Sequence, residues 1–271
     1  MDAAPGRHAI QALLDHHVAA GEVAGAVALV AQGDAVDVAA AGFRDLAARA
    51  PMRRDTIFRI MSMTKPITAA AAMILVEDGR IGLDAPVERW LPELASRRVL
   101  RAPDSPLDDT VPAERPITLE DLLTLRLGLG WLSSGAVGEA MTRLRVAPGP
   151  EPVPFSPDDY ISRIGQLPLA AQPGRRWLYH TGADILCVLI ARVAGMDLPD
   201  FLQARLFAPL GMQDTGFWVP PEKPDRLATC YARTPEGELA PWPTDETAPP
   251  VFPSELLSTA GDYLRFARML L

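Results

Sequence analysis

Ser62 and Lys65 stand three residues apart in Ser62-Met63-Thr64-Lys65. Lys65 and Lys223 are the only lysines in a chain that carries 24 arginines. A sequence that uses arginine wherever plain positive charge serves has kept a lysine here. Arginine stays protonated in proteins, whereas a partly desolvated lysine can lose its proton and act as a base. Residues i and i+3 of a helix share a face, so the Lys65 amine points back at the Ser62 hydroxyl. A serine beside a neutral amine is an activated nucleophile. The competing reading is a capping serine followed by a solvated lysine, because a bare Ser-x-x-Lys arises often by chance.

The surrounding pattern places this pair at the start of a helix. Ile67–Val76 is apolar and Ala-rich, and Glu77-Asp78-Gly79 ends it. Pro66 is tolerated only in a first turn, where backbone N–H groups lack partners anyway. Ser62 is therefore expected at the helix N-terminus, whose partial positive charge favours a developing alkoxide and disfavours a protonated lysine. Upstream, a helix is expected from about Arg7 to Ala20. Gly25–Ala31 and Ala35–Ala41 read as two strands joined through Gly33-Asp34, and Ile57–Ile60 as a third short strand.

Downstream, Arg97–Pro116 reads as a polar loop, and Thr118-Leu119-Glu120-Asp121 as a capping box opening a helix. Residues 147–158 hold five prolines and read as an ordered surface loop or lid. Helices are expected over Asp184–Val193, stopped by Gly195, over Leu198–Phe207, and from a Thr259 cap to the last residue. Residues 219–253 are rich in proline and poor in periodicity.

The chain has 271 residues, 48% of them hydrophobic, enough for a sizeable core. Its net charge is −8 and its arginines are scattered, which argues against a nucleic-acid partner. Cys187 and Cys230 give neither a disulfide framework nor metal spacing, and Cys187 reads as a core residue. His16-His17 lacks a companion ligand and reads as a solvated helix face. Met1–Arg7 does not read as a signal peptide, and the apolar runs are too short to span a bilayer. The expectation is a cytoplasmic protein with no membrane partner; the oligomeric state is left open.

The context of the pair is more specific than the pair. Ser62-Met63-Thr64-Lys65-Pro66-Ile67-Thr68, Leu75 to Val87, Trp90-Leu91-Pro92-Glu93-Leu94, Ile117–Leu125, Pro173-Gly174 to Gly195, Phe207 to Thr215 and Ser258 to Tyr263 occur in this order. Together they resemble the class C β-lactamase-related serine hydrolases, which include penicillin-binding-protein-like peptidases and family VIII carboxylesterases. The resemblance implies an α+β, β-lactamase/transpeptidase-like fold: a helical part and an antiparallel sheet. It also implies catalysis through an acyl-enzyme on Ser62, with Lys65 as base and no metal or organic cofactor.

The family's second motif, Tyr-x-Asn, falls on Tyr179-His180-Thr181. Tyr179 retains the proton relay, while Thr181 replaces the asparagine. A threonine hydroxyl can bond a substrate carbonyl but lacks the paired donor and acceptor of an amide, so ester hydrolysis fits better than β-lactam or peptide cleavage. His180-Thr181-Gly182 also matches the form of the third motif, but the helical spacing after it argues against a strand. Leu125 to Leu129 and Pro253 to Leu257 depart from the family's usual patterns. No Gly-x-Ser-x-Gly elbow is present, which weakens an α/β-hydrolase reading.

The third motif and the strands around it are not found before Leu271. The expectation is therefore one β-lactamase-like domain over 1–271, truncated, with an incomplete sheet: a helix and hairpin in 1–60, a mainly helical part in 61–271. The leading reading is a carboxylesterase acting on a small-molecule ester or amide, with Ser62, Lys65 and Tyr179 catalytic and Thr181 substrate-binding. The alternatives are a β-lactamase or D-amino-acid peptidase, and a non-catalytic remnant.

Overall fold

The computed structural model describes residues 7–242 and 246–271. The reading of the first residues as lacking a signal peptide falls largely on 1–6, outside those described. The described residues form two compact units: one from Met1–Met61, Phe207–Pro249 and Glu255–Leu271, the other from Ser62–Leu206 and Pro250–Ser254. Much of the C-terminal half belongs with the N-terminal unit.

In the first unit, α1 (Arg7–Ala19) packs on a hairpin of β1 (Gly25–Gln32) and β2 (Ala35–Asp45). The strands pair from Gly25↔Gly42 to Gln32↔Ala35, leaving Gly33-Asp34 as a two-residue turn. Gly33 takes φ +57° there, a conformation glycine adopts without steric cost. A short β3 (Ala50–Pro51) adds to the β2 edge, and the helix Ala260–Met269 packs against β1. The hairpin is therefore part of a three-stranded sheet.

The third expected strand, β4 (Phe58–Arg59), does not join that sheet; it pairs antiparallel with Leu257–Ser258. A charged pair flanks this ladder, Arg59 Nη2 to Glu255 Oε2 at 2.7 Å, and Ile57, Val219 and Leu257 form a small apolar cluster beside it. The Thr259 hydroxyl accepts the Asp262 N–H at 3.1 Å, capping the last helix as its sequence predicts.

The second unit is built on α2 (Thr64–Glu77), α3 (Leu119–Leu123), α4 (Gly135–Arg143), α5 (Pro157–Gly165) and α6 (Thr181–Ala194). α6 is its centre: Ile185, Leu186, Val188, Leu189, Ile190 and Val193 are buried, and α2, α3 and α5 pack against it. On α2 the buried stripe is Ile67, Thr68, Ala71, Ala72 and Leu75, with alanines that let the helices approach. Gly195 ends α6 in the left-handed conformation, φ 70°.

Two expectations need correcting. Arg97–Pro116 is not all loop: Arg98–Leu100 and Thr110–Pro112 pair as a hairpin, because Val99 and Leu100 are buried among otherwise polar residues. The helix read over Leu198–Phe207 is regular only over Leu198–Leu202, and Gln203–Phe207 widens into a π turn. Among the described residues no helix is long and apolar enough to cross a membrane.

Candidate active site

Ser62 lies in a short 3-10 turn, Met61–Met63, that leads into α2, and it is exposed. The helix proper begins at Thr64, so Ser62 precedes its first turn, as Pro66 requires. Met61 has φ +48°, a left-handed conformation uncommon outside glycine. Lys65, half-buried at the start of α2, brings Nζ to 3.1 Å from Ser62 Oγ. With a neutral amine the same separation lets the serine hydroxyl donate instead, the arrangement of a nucleophile and its base.

Tyr179 arrives from the segment before α6. Leu178 N–H donates to the Leu125 carbonyl at 2.8 Å, and Trp131 N–H donates to the Tyr179 carbonyl at 2.8 Å. This close pairing needs Gly130: a Cβ there would sit 2.5 Å from the Leu178 carbonyl carbon and oxygen. The Tyr179 ring lies under Lys65, with Nζ 4.9 Å from its centroid. Tyr179, distant in sequence from Ser62 and Lys65, is thus brought beside Lys65 within the same unit.

The sequence over residues 10–271 matches the Beta-lactamase family. The chain belongs to that family. Protein Rv1367c of Mycobacterium tuberculosis is 42% identical over 260 residues, covering 93% of this chain and 63% of that protein. Esterase EstB of Burkholderia gladioli is 38% identical over 233 residues, covering 85% of this chain and 56% of the relative. Among solved structures, EstCE1, described as a hydrolase with promiscuous acyltransferase activity, superposes with TM-score 0.81 at 29% identity. That match covers 96% of this chain and 71% of EstCE1. The fold is therefore β-lactamase/transpeptidase-like. The chain spans 63% and 56% of the lengths of the two curated relatives.

Within this beta-lactamase-family site, one expected residue is placed differently. Thr181 is fully buried as the first residue of α6, and its Oγ1 has no hydrogen-bond partner among the described residues. A substrate-contacting hydroxyl must be reachable, and this one is not. The cause is its register: α6 turns Thr181 to the buried side along with Gly182, whose Cβ position lies 2.9 Å from the Leu122 carbonyl.

Four further residues surround the site. Trp131 and Trp177 are 54% and 58% exposed, and the Trp177 ring lies 5.6 Å from that of Tyr179. His180 and Asp184 pair at 3.3 Å, and their i, i+4 spacing at the start of a helix was the sequence signal for it. Cys187, one turn further on, offers no second nucleophile: burial pushes its thiol well up, which keeps it protonated.

Proposed function

We propose that Ser62 is the nucleophile of a serine hydrolase that cleaves small-molecule carboxylic esters through an acyl-enzyme. The observation that carries this reading is the 3.1 Å separation of Lys65 Nζ and Ser62 Oγ, beside the Tyr179 ring. Lys65 takes the proton as Ser62 Oγ bonds to the ester carbonyl carbon. Collapse of the tetrahedral adduct breaks the bond to the alkoxy group, which leaves as the alcohol with a proton relayed by Tyr179. Water then attacks the acyl-Ser62 carbonyl, loses a proton to the same pair, and releases the carboxylic acid and the free serine.

Two features support ester over β-lactam or peptide. Thr181 stands where the family has an asparagine, and its buried hydroxyl does not replace the amide's paired donor and acceptor. The exposed indole of Trp177, 5.6 Å from the Tyr179 ring, gives the site an apolar rim suited to an apolar acyl or alcohol group. The relatives named an esterase and a hydrolase support the same class.

The test combines labelling with turnover. A fluorophosphonate probe is expected to label the wild-type chain and not Ser62→Ala, and a p-nitrophenyl ester to be hydrolysed faster than a chromogenic cephalosporin. Labelling that persists in Ser62→Ala removes Ser62 as nucleophile. Fast cephalosporin turnover without ester turnover assigns the site to β-lactams instead.

A further inference from the structure

We propose that His180, Asp184 and Tyr160 form a positioning chain that holds Tyr179 in place against Lys65; this rests on the reading of Tyr179 as the proton relay.

The starting point is backbone conformation. Six non-glycine residues among those described have positive φ; five lie between 47° and 57°, the ordinary left-handed region. His180 is different, at φ 89° and ψ −73°, close to the rare γ-turn geometry. Such a conformation is strained for a non-glycine residue and persists only where the surroundings enforce it. Glycine adopts positive φ freely, yet the chain places a histidine here, so the imidazole has a role that outweighs the strain.

That role is visible in its contacts. His180 Nε2 lies 3.3 Å from Asp184 Oδ2, and the two side chains are only 13% and 11% exposed. The Tyr160 hydroxyl, from α5, donates to the same Oδ2 at 3.2 Å. Tyr160 is 1% exposed and its ring packs on Phe252 with centroids 4.8 Å apart. Burial first, then the Asp184 charge, pushes this phenol well above its ordinary value, so it remains a donor. The carboxylate therefore has a fixed partner on α5 and lies against the imidazole one helical turn before it.

The geometry shows what this contact controls. Tyr179 is tied on its N-terminal side by the Leu178–Leu125 backbone bond, while the carbonyl of the peptide that joins it to His180 accepts from the Trp131 N–H. On its C-terminal side the chain must turn at once into α6, and His180 makes that turn. If residue 180 relaxed to a negative φ, the peptide joining it to Tyr179 would rotate, break its bond to the Trp131 N–H and carry the phenol away from Lys65. A displacement of about 1 Å at a reacting group costs on the order of 10²-fold in rate.

A residue that acts through Tyr179 and a residue that merely stabilises the fold differ in one measurable way. The rate constant for Ser62 phosphonylation by a fluorophosphonate is measured in the whole chain for wild type, Asp184→Asn, Tyr179→Phe and the double variant. Asp184→Asn is expected to slow labelling by roughly 10–100-fold, and the double variant to be no slower than Tyr179→Phe alone. His180→Gly permits the same φ but removes the anchor, and is expected to follow Asp184→Asn. Should Asp184→Asn fail to fold, Tyr160→Phe removes one hydroxyl from a ring still packed on Phe252 and enters the same cycle.

Wild-type labelling by Asp184→Asn, or an equal loss in both backgrounds, overturns the positioning chain. Wild-type labelling by Tyr179→Phe overturns instead the relay reading beneath it.

Discussion

Lys65 Nζ sits over the face of the Tyr179 ring, 4.9 Å from its centroid, while reaching 3.1 Å to Ser62 Oγ. The ring is a platform that leaves the amine few places to go. It also makes the lysine replaceable in every respect but one: a guanidinium stacks on the same ring and carries the same charge, but does not give up its proton. Lys65→Arg is therefore expected to fold normally and to lose about 10²–10⁴-fold in the rate of Ser62 phosphonylation, the range for a missing general base. Retention of the wild-type rate would mean that Lys65 is not a base.

The exposed Trp177 indole predicts selectivity. Trp177→Ala removes apolar surface beside Tyr179 without touching Ser62 or Lys65. If the rim binds substrate, kcat/KM for a p-nitrophenyl ester of a medium-length acid should fall by roughly 5–30-fold, from about 1–2 kcal/mol of lost burial. The acetate ester, too short to reach the rim, should change little. Equal losses on both esters would assign Trp177 to the catalytic geometry.

Gly130 is expected to be intolerant of any side chain. A Cβ would lie 2.5 Å from the Leu178 carbonyl group, and backbone cannot step aside as a flexible side chain does. Gly130→Ala should cost about 1–3 kcal/mol in urea denaturation and should also slow labelling, since Tyr179 follows Leu178. Gly149→Ala, where the nearest atom to a new Cβ is 4.0 Å away, serves as the control and should stay within about 0.5 kcal/mol.

Acid stability should report on Asp121. Its carboxylate is buried, caps α3 and accepts from Arg115 at 2.6 and 2.8 Å and from the Thr118 N–H at 3.0 Å. Burial alone would raise its pKa, but the Arg115 and Thr118 bonds together hold it below the ordinary carboxylate value. A folded-state pKa below the unfolded one stabilises the fold above the unfolded value of about 3.9, and this is lost as pH falls through the folded value. Asp121→Asn should thus be less stable by about 1–3 kcal/mol at neutral pH. The gap should narrow between about pH 5 and pH 2, read as converging urea midpoints. A pH-independent gap would rule out the charge as its source.

What the sequence made legible were features decided within a few residues. The Ser62–Lys65 pairing follows from helical spacing, the Gly33-Asp34 turn from its two-residue loop, and the Thr118 and Thr259 caps from a single side chain each. What it hid were features decided by distant partners. Nothing local tells Phe58–Arg59 to prefer Leu257–Ser258 over the adjacent hairpin. Thr181 reads as a polar group beside a reactive tyrosine, and only packing against the Leu122 segment shows that it is buried. The strain at His180 was likewise out of reach, although Asp184 four residues later was in plain view.

The Phe58–Arg59 ladder also sets a clock. Arg59 pairs with Leu257, so at about 5–20 residues per second the ribosome delivers the partner roughly 10–40 s after the first strand. Contacts so far apart in sequence form slowly, because a long loop must close before any gain is realised. The strand that runs into Ser62 therefore waits for Leu257–Ser258 while the residues between them are made, and the nucleophile's own approach is fixed only once that distant partner has arrived.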